Sequence, residues 1–446
     1  MWPRSGSGRA PTRNDAVARV ATGPWASLWL TLLAGSGLLL VGVLMAVSTT
    51  IAAARANGVD GSAWGPARAE LNYVLIGGAL FCLAACMSPR TYRRLAYPAL
   101  AVALIALVGV LVPGVGVSVN GARRWIAIGP VQLQPSEFAK LALLLWGADL
   151  LARKQELGTL RNARHLFIPV LPALLVLASL VMLEPDLGTT CALIVITLGL
   201  LWIAGTPLRY FSALIAVLAT GVIGLALAAP YRLERLTTFL HPFKDAKNSG
   251  YHTVEGFYAL ASGGLFGVGL GQSTSKYGWV PNASTDYVFA IVGEELGLLG
   301  AVLVLALFAL LAHGGFRIAR RNADPFARLA AGAATIWLCG QAAINVGYVT
   351  GLLPVTGIPL PFVSSGGSSL LVSLVVLGML TAFARHEGPA IAAARRAARR
   401  REPTRLARTL LPPAPAPYRA PPRGGRPACP AQAEPRGRTA LLAENS

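Results

Sequence analysis

The sequence predicts an all-α, polytopic membrane protein with about ten transmembrane helices and a large extracytoplasmic loop between helices 7 and 8. Three observations support this fold class. Of the 446 residues, 54% are hydrophobic and only 13% are charged, which is too apolar for a soluble protein. Apolar runs long enough to cross a bilayer recur along the chain. Positive charges cluster in alternate loops, as they do in cytoplasmic loops.

The first predicted helix follows a basic tail. Residues 1–24 contain four arginines and precede an apolar stretch from about residue 25 to about residue 47. A signal peptide is the alternative interpretation, but this stretch is longer than the apolar region of a signal peptide, and many more spans follow. We therefore predict a membrane helix whose amino terminus is cytoplasmic.

Nine further apolar segments predict the rest of the bundle, and an even total places both termini on one side of the membrane. The predicted inner loops hold cations, for example at 153–154 and 317–321, whereas the outer loops near 50–70 and 350–365 are poor in Lys and Arg. The nine segments run approximately over residues 71–88, 95–114, 136–152, 167–184, 187–205, 208–229, 286–314, 327–350 and 366–384.

Two outer segments interrupt this pattern. The segment 115–135 carries Arg123 and Arg124 on the outer side, against the positive-inside rule. The segment 231–285 is the longest loop between spans and contains the glycine-rich stretch 263–271. These glycines are spaced like a phosphate-binding fingerprint, but no strand-to-helix context surrounds them. We therefore predict a re-entrant or interfacial turn.

The carboxy-terminal segment 385–446 contains thirteen Arg and four Glu, which is about half of the net charge of +20. Its Pro, Ala and Arg content cannot bury a core, so we predict disorder beyond its first basic turns. A cytoplasmic tail of this charge favours anionic lipid or a partner protein, with a merely solvated tail as the alternative. No nucleic-acid-binding motif accompanies the charge, which argues against a nucleic-acid partner. The predicted membrane domain is 25–384, between tails 1–24 and 385–446.

Asp286 is the first candidate for chemistry, because it stands where the chain passes from water into a long apolar run. An ionised side chain at the centre of a membrane helix costs about 2.5–3.5 kcal/mol by insertion scales, so such a group tends to be kept for a function. The alternative is an interfacial helix cap beside Ser284 and Thr285.

A second set of polar residues lies near the predicted helix start at 135–136. Glu137 and Lys140 are one turn apart on one face, which predicts an internal ion pair with or without a further function. Arg123 and Arg124, shortly upstream, are suited to bind a pyrophosphate or another anion. The alternative for these arginines is an interfacial anchor next to Trp125.

Three more groups of polar residues complete the outer face. Asp186 follows a Glu–Pro pair between two spans and is predicted to cap the next helix. The segment 345–369, with Ser364 and Ser365, breaks a helix at membrane depth and implies a polar cavity. Glu294 and Glu295 lie deep in the span and are interpreted as structural.

Together these motifs resemble the SEDS family of membrane proteins (shape, elongation, division, sporulation). The stretch 269–273 followed by Lys276, and the stretch 145–154, resemble the division members of the family more than the elongation members. The resemblance implies a peptidoglycan glycosyltransferase that polymerises lipid II outside the cytoplasmic membrane. The matching segments, which are in family order, are 120–126, 134–142, 184–189, 263–267, 285–290 with 293–297, and 345–369.

The reaction that the resemblance implies joins the 4-hydroxyl of an acceptor N-acetylglucosamine to C1 of a donor N-acetylmuramic acid and expels undecaprenyl pyrophosphate. Asp286 is then the general base, because the attacking hydroxyl must lose a proton. Cations stabilise the leaving group, and a divalent cation, Mg or Mn, is a candidate cofactor. The residues predicted to bind the substrate are Arg123, Arg124, Glu137, Lys140, Asp186, Lys276, Ser364 and Ser365.

The resemblance also implies partners and a location. A class B penicillin-binding protein with transpeptidase activity and other division proteins are expected at the septum. The sequence departs from the family at four positions: Ser284 replaces a usual His, Asn282 an acidic residue, and His252 and Glu255 replace common glutamines. Asp286 itself is retained.

Two other function classes remain open from the sequence. A transporter or flippase of lipid-linked precursors also has buried charges and broken helices. No internal inverted repeat is evident, and the polar groups gather at one face instead of the midplane, which favours an enzyme. The other class is a scaffold that recruits division proteins through its tails. Within the enzyme class, an elongation paralogue would have the same chemistry as a division member.

Overall fold

The computed structural model describes most of the membrane region. The predicted tail 1–24 lies almost entirely outside the described residues, as does the chain beyond residue 400. The described residues are 23–56, 64–119, 122–129, 131–161, 166–227, 239, 241–245, 250–277, 279–280 and 283–400.

Helices account for nearly all of this structure. Twelve α-helices lie within the described ranges, and one short sheet separates the third from the fourth. The helices are α1 (Ala26–Ala56), α2 (Trp64–Cys86), α3 (Pro89–Leu111), α4 (Pro135–Glu156), α5 (Val170–Leu183), α6 (Leu187–Ile203), α7 (Leu208–Leu227), α8 (Tyr251–Ser262), α9 (Val288–Arg321), α10 (Pro325–Val349), α11 (Gly367–Arg385) and α12 (Gly388–Arg400).

The predicted all-α membrane fold is confirmed, and each of the ten predicted spans coincides with a helix. Within the described ranges, α1, α3, α9, α10 and α11 are long and apolar enough to cross a membrane. Shorter apolar helices occur in α2, α5, α6 and α7. Helix α4 carries six charged residues and belongs to neither group, so the total of ten spans stays a prediction.

A three-stranded antiparallel sheet, which the sequence reading did not predict, fills the outer segment between α3 and α4. Its strands are β1 (Val117–Val119), β2 (Ala122–Ile128) and β3 (Val131–Leu133), in the order β1-β2-β3. Val117 pairs with Trp125, and Ile126 pairs with Leu133. Because successive residues of a strand point to opposite faces, Arg123 and Arg124 face different ways.

Helix α10 lies at the centre of the bundle and packs against α4, α6 and α9. Its first half contains the run Ala330–Ala334, in which each alanine is fully buried. Small side chains let membrane helices approach closely, because little volume separates their backbones. The second half of α10 is also enclosed by protein, because Gln341 and Asn345 there are buried polar side chains.

Helix α9 is broken at Gly297, whose backbone is left-handed with φ 68° and ψ −167°. A broken helix exposes amides and carbonyls that are costly in a membrane unless other groups bind them. The glycine-rich segment binds them here. The amides of Val268 and Gly269 donate to the carbonyls of Glu294 and Glu295 at 2.9 and 3.1 Å. The predicted turn thus packs against the break, and the outer loop also contains helix α8.

The beginning of the carboxy-terminal tail is helical. Helix α12 extends over more than three turns, to Arg400. Glu387, which precedes it, is fully buried and lies 3.8 Å from the guanidinium of Arg321 on α9. Arg395 and Arg396 are exposed. The last turn of α9 therefore anchors the start of the tail.

Candidate functional site

Asp286 lies in the short loop 283–287 that leads into α9, and its backbone is held by α10. The backbone carbonyl of Asp286 accepts hydrogen bonds from the side-chain Nδ2 of Asn345 at 3.0 Å and from the hydroxyl of Tyr348 at 2.8 Å. Helix α9 begins after Asp286, with Tyr287 at the N-cap position. Asp286 therefore stands one residue outside the cap position that the alternative interpretation gave it.

The two preceding carbonyls of this loop are held by the serines of segment 354–366. The hydroxyl of Ser364 donates to the carbonyl of Thr285 at 2.6 Å. The hydroxyl and the amide of Ser365 both donate to the carbonyl of Ser284, at 2.8 and 3.0 Å. Three consecutive carbonyls are thus bound, so the backbone that carries the Asp286 carboxylate is fixed. The predicted substrate residues Ser364 and Ser365 contribute to this fixing.

The Asp286 side chain is half-buried and faces the backbone of Gly357. A Cβ atom at Gly357 would lie 3.6 Å from Oδ2 of Asp286, and Gly357 has a positive φ of 71°. Glycine is the residue that adopts this conformation without strain, and it leaves room beside the carboxylate. The arrangement provides a rigidly held carboxylate at the outer end of the bundle.

The predicted pair Glu137–Lys140 is formed and is buried. Nζ of Lys140 lies 2.8 Å from Oε1 of Glu137, and the two side chains are 1% and 5% exposed. The ammonium also donates to Oε1 of Gln341 at 3.4 Å and lies 5.4 Å from the ring centroid of Trp337. Its charge is therefore compensated inside the protein.

The two outer arginines have different surroundings, as their opposite faces on β2 require. Arg124 donates to the carbonyls of Glu184 and Pro185 at 2.7 and 2.6 Å, which ties the sheet to the turn between α5 and α6. Arg123 is exposed and donates to the carbonyl of Leu111 at 3.4 Å. Arg123 is the member of the pair that faces the outer surroundings.

The turn between α5 and α6 contains two carboxyl groups with different roles. Asp186 caps α6 by accepting from the amide and hydroxyl of Thr189 at 3.0 and 2.7 Å, and it also accepts from Gln134 at 3.0 Å. Glu184 is 1% exposed. Burial first and then Asp186 raise the pKa of Glu184, Arg124 lowers it, and the net pKa is about 8. The shift favours the neutral form of Glu184 at pH 7.

Lys276 lies in a buried cluster with α1 and α9. Its ammonium is 2.8 Å from Oε1 of Glu295 and 2.8 Å from the hydroxyl of Ser48. The neighbouring carboxylate of Glu294 accepts from the Ser273 hydroxyl at 2.7 Å. The two glutamates thus hold the end of the outer loop on α9. Binding of an anion by Lys276 would require its ion pair with Glu295 to open.

Segment 354–366 connects most of the predicted site. It touches Asp286 through Gly357, and the carbonyl of Thr356 would lie 2.9 Å from a Cβ at Gly188 on α6. Its Pro359 carbonyl accepts from Gln341, which also binds Lys140. Gln341 and Tyr348 were missed by the sequence reading. Two amide side chains at i and i+4 in an apolar helix, Gln341 and Asn345, were the available signal.

Comparisons with known proteins agree with this geometry. The family model described as a cell cycle protein, which covers FtsW, RodA and SpoVE, matches residues 28–388. The chain is 42% identical over 417 residues to the probable peptidoglycan glycosyltransferase FtsW of Mycobacterium tuberculosis, covering 92% of this chain and 78% of the relative. The predicted similarity to division members is confirmed by this match.

Two solved structures have the same fold. One is a chain of a peptidoglycan synthase complex that coordinates polymerization and crosslinking, with a TM-score of 0.66, 28% identity and coverage of 80% of this chain and 97% of that one. The other is the rod shape determining protein RodA of Thermus thermophilus, with a TM-score of 0.58, 27% identity and coverage of 81% and 97%. The chain therefore belongs to the FtsW, RodA and SpoVE family of cell cycle proteins, which is the SEDS family that its motifs resemble.

Proposed function

We propose that this protein is a peptidoglycan glycosyltransferase that polymerises lipid II into glycan strands at the outer face of the cytoplasmic membrane. The observation that carries the proposal is the fixed loop of Asp286, whose carbonyls at 284, 285 and 286 are all bound. The names of the family relatives support the same activity. A polytopic membrane protein is also suited to a substrate with a lipid tail and a polar head.

Asp286 acts as the general base in this proposal. The acceptor's 4-hydroxyl oxygen forms a bond to C1 of the donor sugar, and the bond from C1 to the pyrophosphate oxygen breaks. The hydroxyl proton passes to the carboxylate of Asp286, while undecaprenyl pyrophosphate leaves with the bonding electrons. A positioned base of this kind contributes about 10²- to 10⁴-fold to the rate. Fixing the backbone of the base reduces its reorganisation during the reaction.

Positive charge for the leaving pyrophosphate comes first from Arg123, because it is exposed on the outer face. Arg124 and Lys140 have supporting roles. Arg124 holds the turn at 184–185, and Lys140 forms the buried ion pair with Glu137. Within the described part of the chain, no three His, Cys, Asp or Glu side chains are grouped to hold a metal ion. Mg²⁺ bound to substrate phosphates commonly uses only one or two protein carboxylates, so Mg or Mn stays a prediction without a step in this mechanism, and adding EDTA to the assay tests it.

The proposal includes a location and partners. A class B penicillin-binding protein is the proposed transpeptidase partner, since a chain of similar fold belongs to a complex that couples polymerization to crosslinking. Both termini are assigned to the cytoplasm from the distribution of Arg and Lys. Similarity to FtsW supports action at the division septum with other division proteins. A fluorescent fusion found along the side wall instead would favour the elongation role.

Replacing Asp286 tests the function directly. Asp286→Asn protein, purified in detergent with its penicillin-binding partner and given lipid II, is expected to make no glycan polymer while remaining folded. Asp324→Asn is the matched control, because Asp324 caps α10 at the other end of α9 and Asn also caps helices well. Polymer is measured by gel electrophoresis.

The outcomes separate the possible conclusions. Full polymerisation by Asp286→Asn would remove Asp286 from the role of base. A wild-type protein that makes no polymer with its partner would remove the proposed function. Detergent contains no second compartment, so polymer formed there cannot arise from transport, and the flippase alternative is tested in the same experiment.

A further inference from the structure

We propose that Gln341 and Asn345 are positioning residues that connect the Lys140–Glu137 ion pair to the loop of Asp286. They lie one turn apart on α10 and are 3% and 0% exposed. Both donate to backbone carbonyls of the site, so they act through the backbone. The effect on catalysis rests on the function proposed above, whereas the mechanical connection does not.

Gln341 forms one half of the connection. Its Oε1 accepts from Nζ of Lys140 at 3.4 Å and from Nε1 of Trp337 at 2.8 Å. Its Nε2 donates to the carbonyl of Pro359 at 2.9 Å. The donors on one side and the carbonyl on the other fix which way the amide points. One side chain therefore joins the ion pair to segment 354–366.

Asn345 forms the other half. Its Nδ2 is 3.0 Å from the carbonyl of Asp286, 2.7 Å from the carbonyl of Ile358 and 2.7 Å from the hydroxyl of Tyr348. The Tyr348 hydroxyl in turn is 2.8 Å from the same two carbonyls. Asn345 thus binds the Asp286 loop and segment 354–366 at the same time.

The two halves meet at consecutive carbonyls, those of Ile358 and Pro359. Gly357, which adjoins them, is the residue that faces the Asp286 carboxylate. A buried carbonyl that loses its donor costs about 1–3 kcal/mol, so each link resists being opened. A shift of Gln341 would therefore move the backbone at Pro359, and with it the adjoining Gly357 that faces the Asp286 carboxylate.

Hydrogen exchange tests the connection without any activity. The amide of Ser365 donates to the carbonyl of Ser284 and reports on the contact between the two segments. In full-length Gln341→Met protein, exchange of the Ser365 amide is expected to become about tenfold faster, because the distant anchor at Pro359 is lost. Gln341→Glu is a second variant, which keeps an acceptor for Lys140 but has no donor for Pro359.

A matched control is Thr197→Val. Thr197 is fully buried in α6 and bonds only to its own helix, at the carbonyl of Leu193. Its replacement is expected to leave the exchange of Ser365 unchanged. If both Gln341 variants fold and Ser365 exchanges as in the wild type, the proposed connection is wrong.

Kinetics test the positioning role. In Gln341→Met, kcat for polymerisation is expected to fall about 10- to 100-fold with KM little changed, because a misplaced catalytic group mainly affects the transition state. Combined with Asn345→Leu, the losses should be non-additive, since both residues hold one segment. An unchanged kcat, or additive losses, would contradict the role. A wild-type protein without activity would reject the proposed function and leave the exchange result standing.

Discussion

At the scale of single residues, Asp286 is fixed through its main chain. Its carbonyl and the two before it receive side-chain donors from α10 and from segment 354–366. Gly357, which has no Cβ, faces Oδ2 of the carboxylate. A base that must gain and lose a proton in each cycle benefits from a rigid backbone and open space beside its oxygens.

The buried pair Glu137–Lys140 makes a clear prediction for stability. Lys140→Met leaves the Glu137 carboxylate buried without its cation, and the free energy of unfolding is expected to fall by about 3–5 kcal/mol. The double variant Glu137→Gln with Lys140→Met removes both charges and should be less destabilised than Lys140→Met alone. Denaturant titration in detergent measures both. If the double variant is less stable than Lys140→Met alone, the interpretation of Glu137 and Lys140 as a buried ion pair is wrong.

Glu184 makes a prediction about pH. Its pKa is raised by burial from the ordinary 4.5 to about 8, so the folded protein keeps a proton that the unfolded chain releases above pH 4.5. Stability is therefore lost as the pH rises from 4.5 to about 8. Glu184→Gln cannot lose a proton, and its melting temperature should exceed that of the wild type increasingly over this range. Glu255→Gln, at a half-buried outer position, is the control. If the melting temperatures of the wild type and of Glu184→Gln change in parallel with pH, the raised pKa of Glu184 is disproved.

The sequence singled out most of the polar residues of the candidate site but few of the groups that contact them. Asp286, Lys140 and Ser364 were found because charge and polarity near a membrane are costly and therefore conspicuous. Their partners lie far along the chain: Asn345 is 59 positions from Asp286, and Gln341 is 201 positions from Lys140. Hydrophobic periodicity carries no information about such pairings, so the packing of α10 had to supply them.

At the scale of elements, hydropathy predicted where the helices lie but not the break in α9. An apolar run shows that a segment can be helical, and Gly297 gives no sign of its left-handed backbone in the sequence. The sheet was missed for a related reason, because β1 and β3 have only three residues each and such short strands show little alternation. Both features depend on neighbouring segments.

The break in α9 predicts a strong effect of one methyl group. Gly297→Ala places a Cβ against the backbone of Gly267 and Leu265 and requires an L residue at positive φ. A destabilisation of at least about 1–3 kcal/mol is expected from the backbone strain alone. Gly78→Ala in α2 is the control, because nothing lies within 4 Å of its Cβ and Ala favours helix. Equal melting temperatures for the two variants would show that the glycine-rich segment does not pack against the break in α9 as described.

At the scale of the whole molecule, the core of the bundle is separate from its tails. The proposed site uses residues between Arg123 and Ser365, whereas Glu387, just before α12, meets Arg321 on α9. Composition predicts a division of the chain into a membrane domain, 25–384, and two basic tails, most of whose residues lie outside the described ranges. The first part of the second tail is the helix α12, whose Ala and Arg residues are strong helix formers.

Two truncations test this division. Deleting residues 401–446 removes the tail beyond α12, and deleting residues 386–446 removes α12 as well. Both proteins are expected to polymerise lipid II in detergent at the wild-type rate, since neither loses a residue of the outer site. The longer deletion should lower the melting temperature more, because Arg321 loses Glu387. Loss of polymer from the shorter deletion would favour a scaffold function that depends on the tail.

The opposite orientation of Arg123 and Arg124 on β2 has a consequence for turnover. A processive polymerase must discard one spent carrier lipid for every sugar pair that it adds. Arg124 is committed to the carbonyls of Glu184 and Pro185, and Arg123 is the exposed member of the pair. In the proposed site, Arg123 is the exposed cation among the described residues of the pair, and a doubly charged diphosphate held mainly by such a solvent-screened cation is retained weakly. The strand therefore favours rapid departure of the product over tight capture of it.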